Sequence, residues 1–312
     1  MLKYLIDAKV RFDDGEKAKS RQLFISAYNE NDRARHLFDS VNANSKYWWM
    51  LPEYGYSTTE YPIGNVVSGL PEYEADVIAV GMQKSGFDPS APVDVCIDIT
   101  GFLHHHILSF LKYFSCNPVP KLEFAYTEPE HYSRKVDTQF SLDETAHVRG
   151  VAGFDGAHVP EMINDIVIVG IGYDHSLVGQ VLSNKESARI VQMHCFPSLS
   201  ADMYQESILR LDKVSSISNQ NAPDLNYFAT ANDPYVTAAV LSEAYGTLSR
   251  RQPITNLYLC PLSTKPQALG FGLYYLSDLR SSPASIIYPF TSRYSRQTST
   301  GIGHSWLYPV TL

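Results

Sequence analysis

Short apolar runs alternate along the chain with stretches whose apolar residues recur at three- and four-residue spacing. The runs are Gln22 to Ala27, Tyr47 to Leu51, Val95 to Ile99, Leu122 to Tyr126, Asp165 to Ile171, Ala188 to Met193, Leu257 to Cys260 and Ala284 to Tyr288. Asp165 to Ile171 is the clearest buried strand among them, the pattern of a strand covered on both faces of a parallel sheet. Helical spacing predicts helices over Ala34 to Val41, with Asp32 as a candidate N-cap, and over Glu74 to Met82, Phe102 to Leu111 and Leu177 to Asn184. Further helices are predicted over Met203 to Ser218, Tyr235 to Tyr245 and Pro266 to Leu279. Strand and helix in alternation define an α/β chain with mostly parallel sheets. Tyr54 to Glu72 reads as a surface loop, Asp137 to Glu161 has no firm period, and Gly301 to Leu312 reads as a terminal loop or edge strand.

The pattern comes twice. Tyr28 to Pro52 and Tyr173 to Pro197 each span 24 positions, and Tyr126 to Tyr132 and Tyr288 to Tyr294 each span 6, followed in both cases by Ser-Arg. Thr100, after one apolar run, stands where Thr264 stands after another. Repeated order with repeated spacing is what a fused duplication produces. We therefore expect two tandem Rossmann-like modules, 1–160 and 161–312, in pseudo-twofold relation, with the carboxyl ends of both sheets converging on one cleft.

Composition narrows the partners. The net charge of −8, from 25 Lys and Arg against 33 Asp and Glu, disfavours a broad nucleic-acid surface. No apolar segment approaches the roughly 20 residues that span a bilayer, and the N-terminal stretch lacks a signal-peptide core, so a cytoplasmic protein is expected. Cys96, Cys116, Cys195 and Cys260 are too widely spaced for a zinc or redox pair. Neither GxGxxG nor GxxxxGK[ST] follows a strand, which disfavours dinucleotide and Walker sites, and no cofactor is expected.

The candidate chemistry sits where strands end. Ser263, Thr264 and Lys265 open a helix, where free amides, a hydroxyl and an ammonium suit an anion; the competing reading is an N-cap with a solvated lysine before Pro266. Arg293 and Arg134 follow strand ends and offer planar forks for phosphate or carboxylate. Asp98 lies inside an apolar run, and Asp174, His175 and Ser176 follow the clearest strand, which makes Asp98, Asp174 and His175 the acid/base candidates. His104, His105 and His106 are adjacent in a helical pattern, where neighbours diverge by about 100°. The three are not expected to share one metal ion, and no metal site is expected.

Pro261 to Lys265 before the helix PQALGFGLYYL, and Thr100-Gly101 before FLHHHILSFL, resemble the elbows of the CARF and SAVED nucleotide-sensor families. The resemblance implies paired Rossmann-like modules that read small oligonucleotides in bacterial antiviral defence, acting here through a protein partner. The ligand-binding residues expected on this reading are Tyr28, Asn29, Thr100, Tyr173, Asp174, Ser263, Thr264, Lys265 and Arg293. The alternatives are a hydrolase or nucleosidase acting on such a ligand, and a structural subunit of a larger complex.

Overall fold

The computed structural model describes Tyr4, 7–132, 141–143, 145–172, 174–199, Gln205, 208–209 and 225–312. Arg134, Tyr173 and most of the helix expected over Met203 to Ser218 lie outside these residues. Two compact units divide the chain, one of Asp7–Asp143 with Ser292–Leu312, the other of Met1–Ile6 with Glu144–Thr291. The division expected at residue 160 is corrected on two counts. The change of unit falls earlier, because β8 (below) pairs within the second unit, and the C-terminal residues return to the first.

The first unit begins with β1 (Val10–Arg11), α1 (Asp14–Ala18), β2 (Arg21–Ala27), α2 (Asp32–Ser40), β3 (Ala43–Trp49) and β4 (Val66–Val67). It continues through α3 (Glu74–Lys84), β5 (Val95–Asp98), α4 (His104–Cys116), β6 (Leu122–Thr127) and β7 (His131–Tyr132). The second unit holds β8 (His147–Gly150), β9 (Ile166–Gly170), α5 (His175–Asn184), β10 (Arg189–Cys195) and β11 (Asn226–Ala229). It ends with α6 (Pro234–Arg251), β12 (Leu257–Pro261), α7 (Lys265–Tyr274) and β13 (Ala284–Phe290). Back in the first unit, β14 (Ser299–Thr300) pairs antiparallel with β7, and β15 (Ser305–Val310) closes the described chain.

The first sheet runs β1-β15-β6-β5-β2-β3-β4 and the second β11-β10-β9-β12-β13-β8. In each, five parallel strands taken in chain order lie 3-2-1-4-5, the doubly wound arrangement, with an antiparallel strand beside the fifth. The central strands are buried on both faces, as their mainly apolar composition requires: β5, β6 and β9 have every residue buried. β15 is not an edge strand, since β1 covers its far side.

In both sheets the strand order reverses between the first and fourth parallel strands, and a glycine follows one of them. A Cβ on Gly101 would lie 2.0 Å from the Ala27 carbonyl oxygen, and one on Gly172 would lie 2.0 Å from that of Leu262. Only glycine lets the turns beyond these strands approach so closely.

Candidate functional site

In the second unit four strand ends gather around the start of α7. Gly172 packs on Leu262, and Cys195, at the end of β10, meets Ser263 with Sγ and Oγ 2.7 Å apart. Beyond β11, the Ala231 carbonyl accepts from the Thr264 hydroxyl. Gln267, fully buried, donates its amide to the Ala229 carbonyl at 3.1 Å. Thr264 is the N-cap of α7, accepting from the Gln267 backbone N–H at 3.3 Å, and Pro266 has no N–H. The amides expected to cradle an anion are therefore mostly spent inside the protein.

Asp174, on the adjoining turn, caps α5 by accepting from Leu177 N–H at 3.2 Å through Oδ1. Its Oδ2 is buried without a hydrogen-bond partner. The Asp174-His175-Ser176 run makes no relay: Asp174 serves the helix cap, and Ser176 accepts from Gln180. Burial pushes the Cys195 thiol up to about 11, against the opposing bonds from Ser263 and the Thr264 amide. Cys96 and Cys260 are buried and Cys116 is exposed. We expect one thiol, Cys116, to react rapidly with a disulfide reagent at pH 8, while Cys195 reacts at a rate rising about tenfold per pH unit toward 11. A rapid phase that survives Cys116→Ser would contradict this.

The same edge of the first sheet is filled by its own residues. Asp98 is fully buried, with Oδ2 accepting from Ser26 at 2.8 Å and Oδ1 from the Thr100 amide at 2.9 Å. Thr100 Oγ1 accepts from Thr127 N–H at 3.0 Å, and Asn29 Oδ1 from Asn31 N–H at 3.1 Å. Tyr54 is buried there and donates its hydroxyl to the Gly101 carbonyl at 2.7 Å. Asp98, Thr100 and Asn29 thus hold turns together, which weakens their reading as catalytic or ligand-binding groups.

Tyr28 is half-buried, its ring edge-on to Trp48 at 5.5 Å and its hydroxyl accepting from Arg35. Arg293 is exposed and sits beside Asp143, its Nε 3.5 Å from Oδ1. Arg296, three residues on, donates to the carbonyls of Tyr54 and Gly55 and to Glu60, and lies over the Tyr56 ring at 4.0 Å.

Beneath that edge two of the three adjacent histidines meet a carboxylate from another element. His105 and His106, in the first turn of α4, both reach Glu53, which sits on the short turn Pro52–Tyr54 after β3. Glu53 Oε1 lies 3.3 Å from His105 Nε2 and 3.2 Å from His106 Nε2, and all three side chains are buried. Two neighbours on a first helical turn converge because the third group comes from 52 residues away, a pairing invisible in the local pattern. Burial opposes the Glu53 charge, but His106 and His105 outweigh it and hold the carboxyl well below its usual range. Burial, with His106 adding to it, pushes His105 down to about 4 despite Glu53.

No protein-family model matches the chain, and no curated protein matches it. Among the described residues, no helix is long and apolar enough to cross a membrane. One further polar chain lies at the opposite edge of the second sheet, where His158 joins Ser285 through Nε2 and Asn256 through Nδ1 at 3.0 Å. It has the order of a hydrolytic triad. Yet the Gly156 amide donates to Ser285 Oγ itself, and Asn256 also bonds Val159 and Glu161, so the network ties the 156–161 segment to the sheet.

Proposed function

We propose that the protein binds a small nucleotide-like ligand at the carboxyl edge of the second unit's sheet, between the turns after β9 and β12. The observation that carries this reading is Asp174 Oδ2, a buried acceptor with no partner beside the reversal of strand order. Buried polar atoms are nearly always paired, and crevices at such reversals are where doubly wound sheets take ligands. A carboxylate asks for donors, so ribose hydroxyls or an exocyclic amine face Asp174. Phosphate falls to the Lys265 ammonium, because the amides at the start of α7 are largely used. The repeated strand order supports a fused pair of Rossmann-like modules and, with it, a sensor role exercised through a protein partner.

The test is calorimetric titration and thermal shift with nucleosides, mononucleotides and cyclic oligonucleotides, since a ligand that binds the native state raises its melting temperature. Asp174→Asn is expected to weaken every member of a binding series by tenfold or more. Lys265→Ala is expected to weaken only the phosphorylated members. If no nucleoside or nucleotide binds, or Asp174→Asn leaves affinity unchanged, the assignment fails. Turnover of a bound nucleotide would move the reading to a hydrolase.

A further inference from the structure

We propose that Glu53, His105 and His106 form a binding site for one divalent transition-metal ion of the zinc type, inside the first unit. Their donor atoms all lie within 4.8 Å of one another. With metal bonds of about 2.0–2.2 Å, the edges of a tetrahedral site measure roughly 3.3–3.5 Å. The two separations from Glu53 Oε1, 3.3 and 3.2 Å, are close to that edge.

The second observation is a mismatch with simple hydrogen bonding. His106 Nε2 is 3.2 Å from the carboxylate oxygen yet makes no hydrogen bond to it, and Glu53 Oε2 is also buried without a partner. Both side chains are more than nine-tenths buried. Orphaned polar atoms in such a place carry a desolvation cost, which coordination removes.

The donors are held in place from behind. Trp49, at the end of β3, donates Nε1 to Ser85 and fixes the entry to the Glu53 turn, and the Glu53 carbonyl accepts from Tyr294 N–H at 3.0 Å. Phe102 stands edge-on to His106 at 6.1 Å, and Ser109 donates to the His105 carbonyl. Two imidazoles and one carboxylate suit zinc, cobalt or nickel and not calcium or magnesium, which favour oxygen-only shells. The set leaves a fourth position for water or an anion. Coordination would fasten the loop after β3 to the start of α4.

The experiment uses the full-length protein, freed of any affinity tag, grown with zinc, dialysed, and assayed by elemental mass spectrometry. We expect about one zinc per chain, a fall in melting temperature on EDTA treatment, and cobalt substitution giving the intense visible bands of a tetrahedral site. Glu53→Gln and His106→Gln should each lower metal content at least tenfold. Zinc below about a tenth per chain with no EDTA effect would overturn the proposal, as would undiminished metal in both variants. Should the variants fail to fold, the cobalt spectrum and EDTA response of the unmodified protein decide it. Nucleotide binding plays no part in these readouts, so they stand apart from the fate of the Asp174 assignment.

Discussion

Alanine at Gly101 is expected to cost about 3 kcal/mol or more of folding stability, read from the denaturant midpoint. Its Cβ would fall 2.0 Å from the Ala27 carbonyl oxygen, 2.9 Å from the carbonyl carbon and 3.2 Å from the Ala27 Cβ. None of these is the end of a flexible side chain. Ala27 closes β2 and Gly101 follows β5, and the two strands are locked in register at Ser26 and Asp98. Relief therefore requires moving backbone at the centre of the sheet, which also disturbs the Tyr54 bond to the Gly101 carbonyl. The matching control is Gly246→Ala on α6, where nothing lies within 4 Å of the added Cβ. There the loss of unfolded-state freedom should stabilise by about 0.5–1 kcal/mol. A Gly101→Ala variant as stable as the parent would mean that the turns at this reversal do not meet as described.

The second large effect is expected at Arg21. Its Nε donates to Glu123 Oε2 at 3.0 Å with both side chains buried, and its other donors reach the carbonyls of Glu16 and Lys19 at 3.0 Å. The pair joins β2 to β6 past the intervening β5, and the guanidinium lies 4.7 Å from the Phe12 ring centre. Removing one member strands the other's charge, so Arg21→Met alone should cost about 3–5 kcal/mol. Replacing both, as Arg21→Met with Glu123→Leu, should cost much less than the sum of the single changes, because no unpaired charge remains. Additive losses in that cycle would show that the two residues act independently. The partly exposed Lys121, 2.7 Å from Glu123, tempers the loss when Arg21 is removed.

The sequence made the central strands readable because burial on both faces leaves a mainly apolar signature, clearest in Ile166 to Gly170. It also placed Thr100 and Thr264 correctly after the fourth parallel strand of their sheets. What it hid was short or borrowed. β4 has two residues inside a loop-like stretch, and β8 and β11 have only four each. Strands of that kind are defined by the neighbour they pair with, not by their own pattern.

The site was legible to the same degree. Strand ends marked the positions of Asp174 and Ser263, and an N-cap before Pro266 was one of the two local readings, but nothing local shows that the Asp174 carboxylate has a spare oxygen. Glu53 was missed because its only cue was a carboxylate just after an apolar run, while its partners stand on another element.

The return of residues 292–312 to the first unit sets an order on the chain's birth at the ribosome. Synthesis runs from the N-terminus, so β2 to β6 emerge long before β15, the strand that lies between β6 and β1. Until Ser305–Val310 appears, β6 keeps an open row of backbone donors and acceptors and β1 has no strand to join. Glu144–Thr291 is translated whole in the meantime. Truncation before residue 305 is therefore expected to send the first unit toward aggregates, read as light scattering that the full chain does not show.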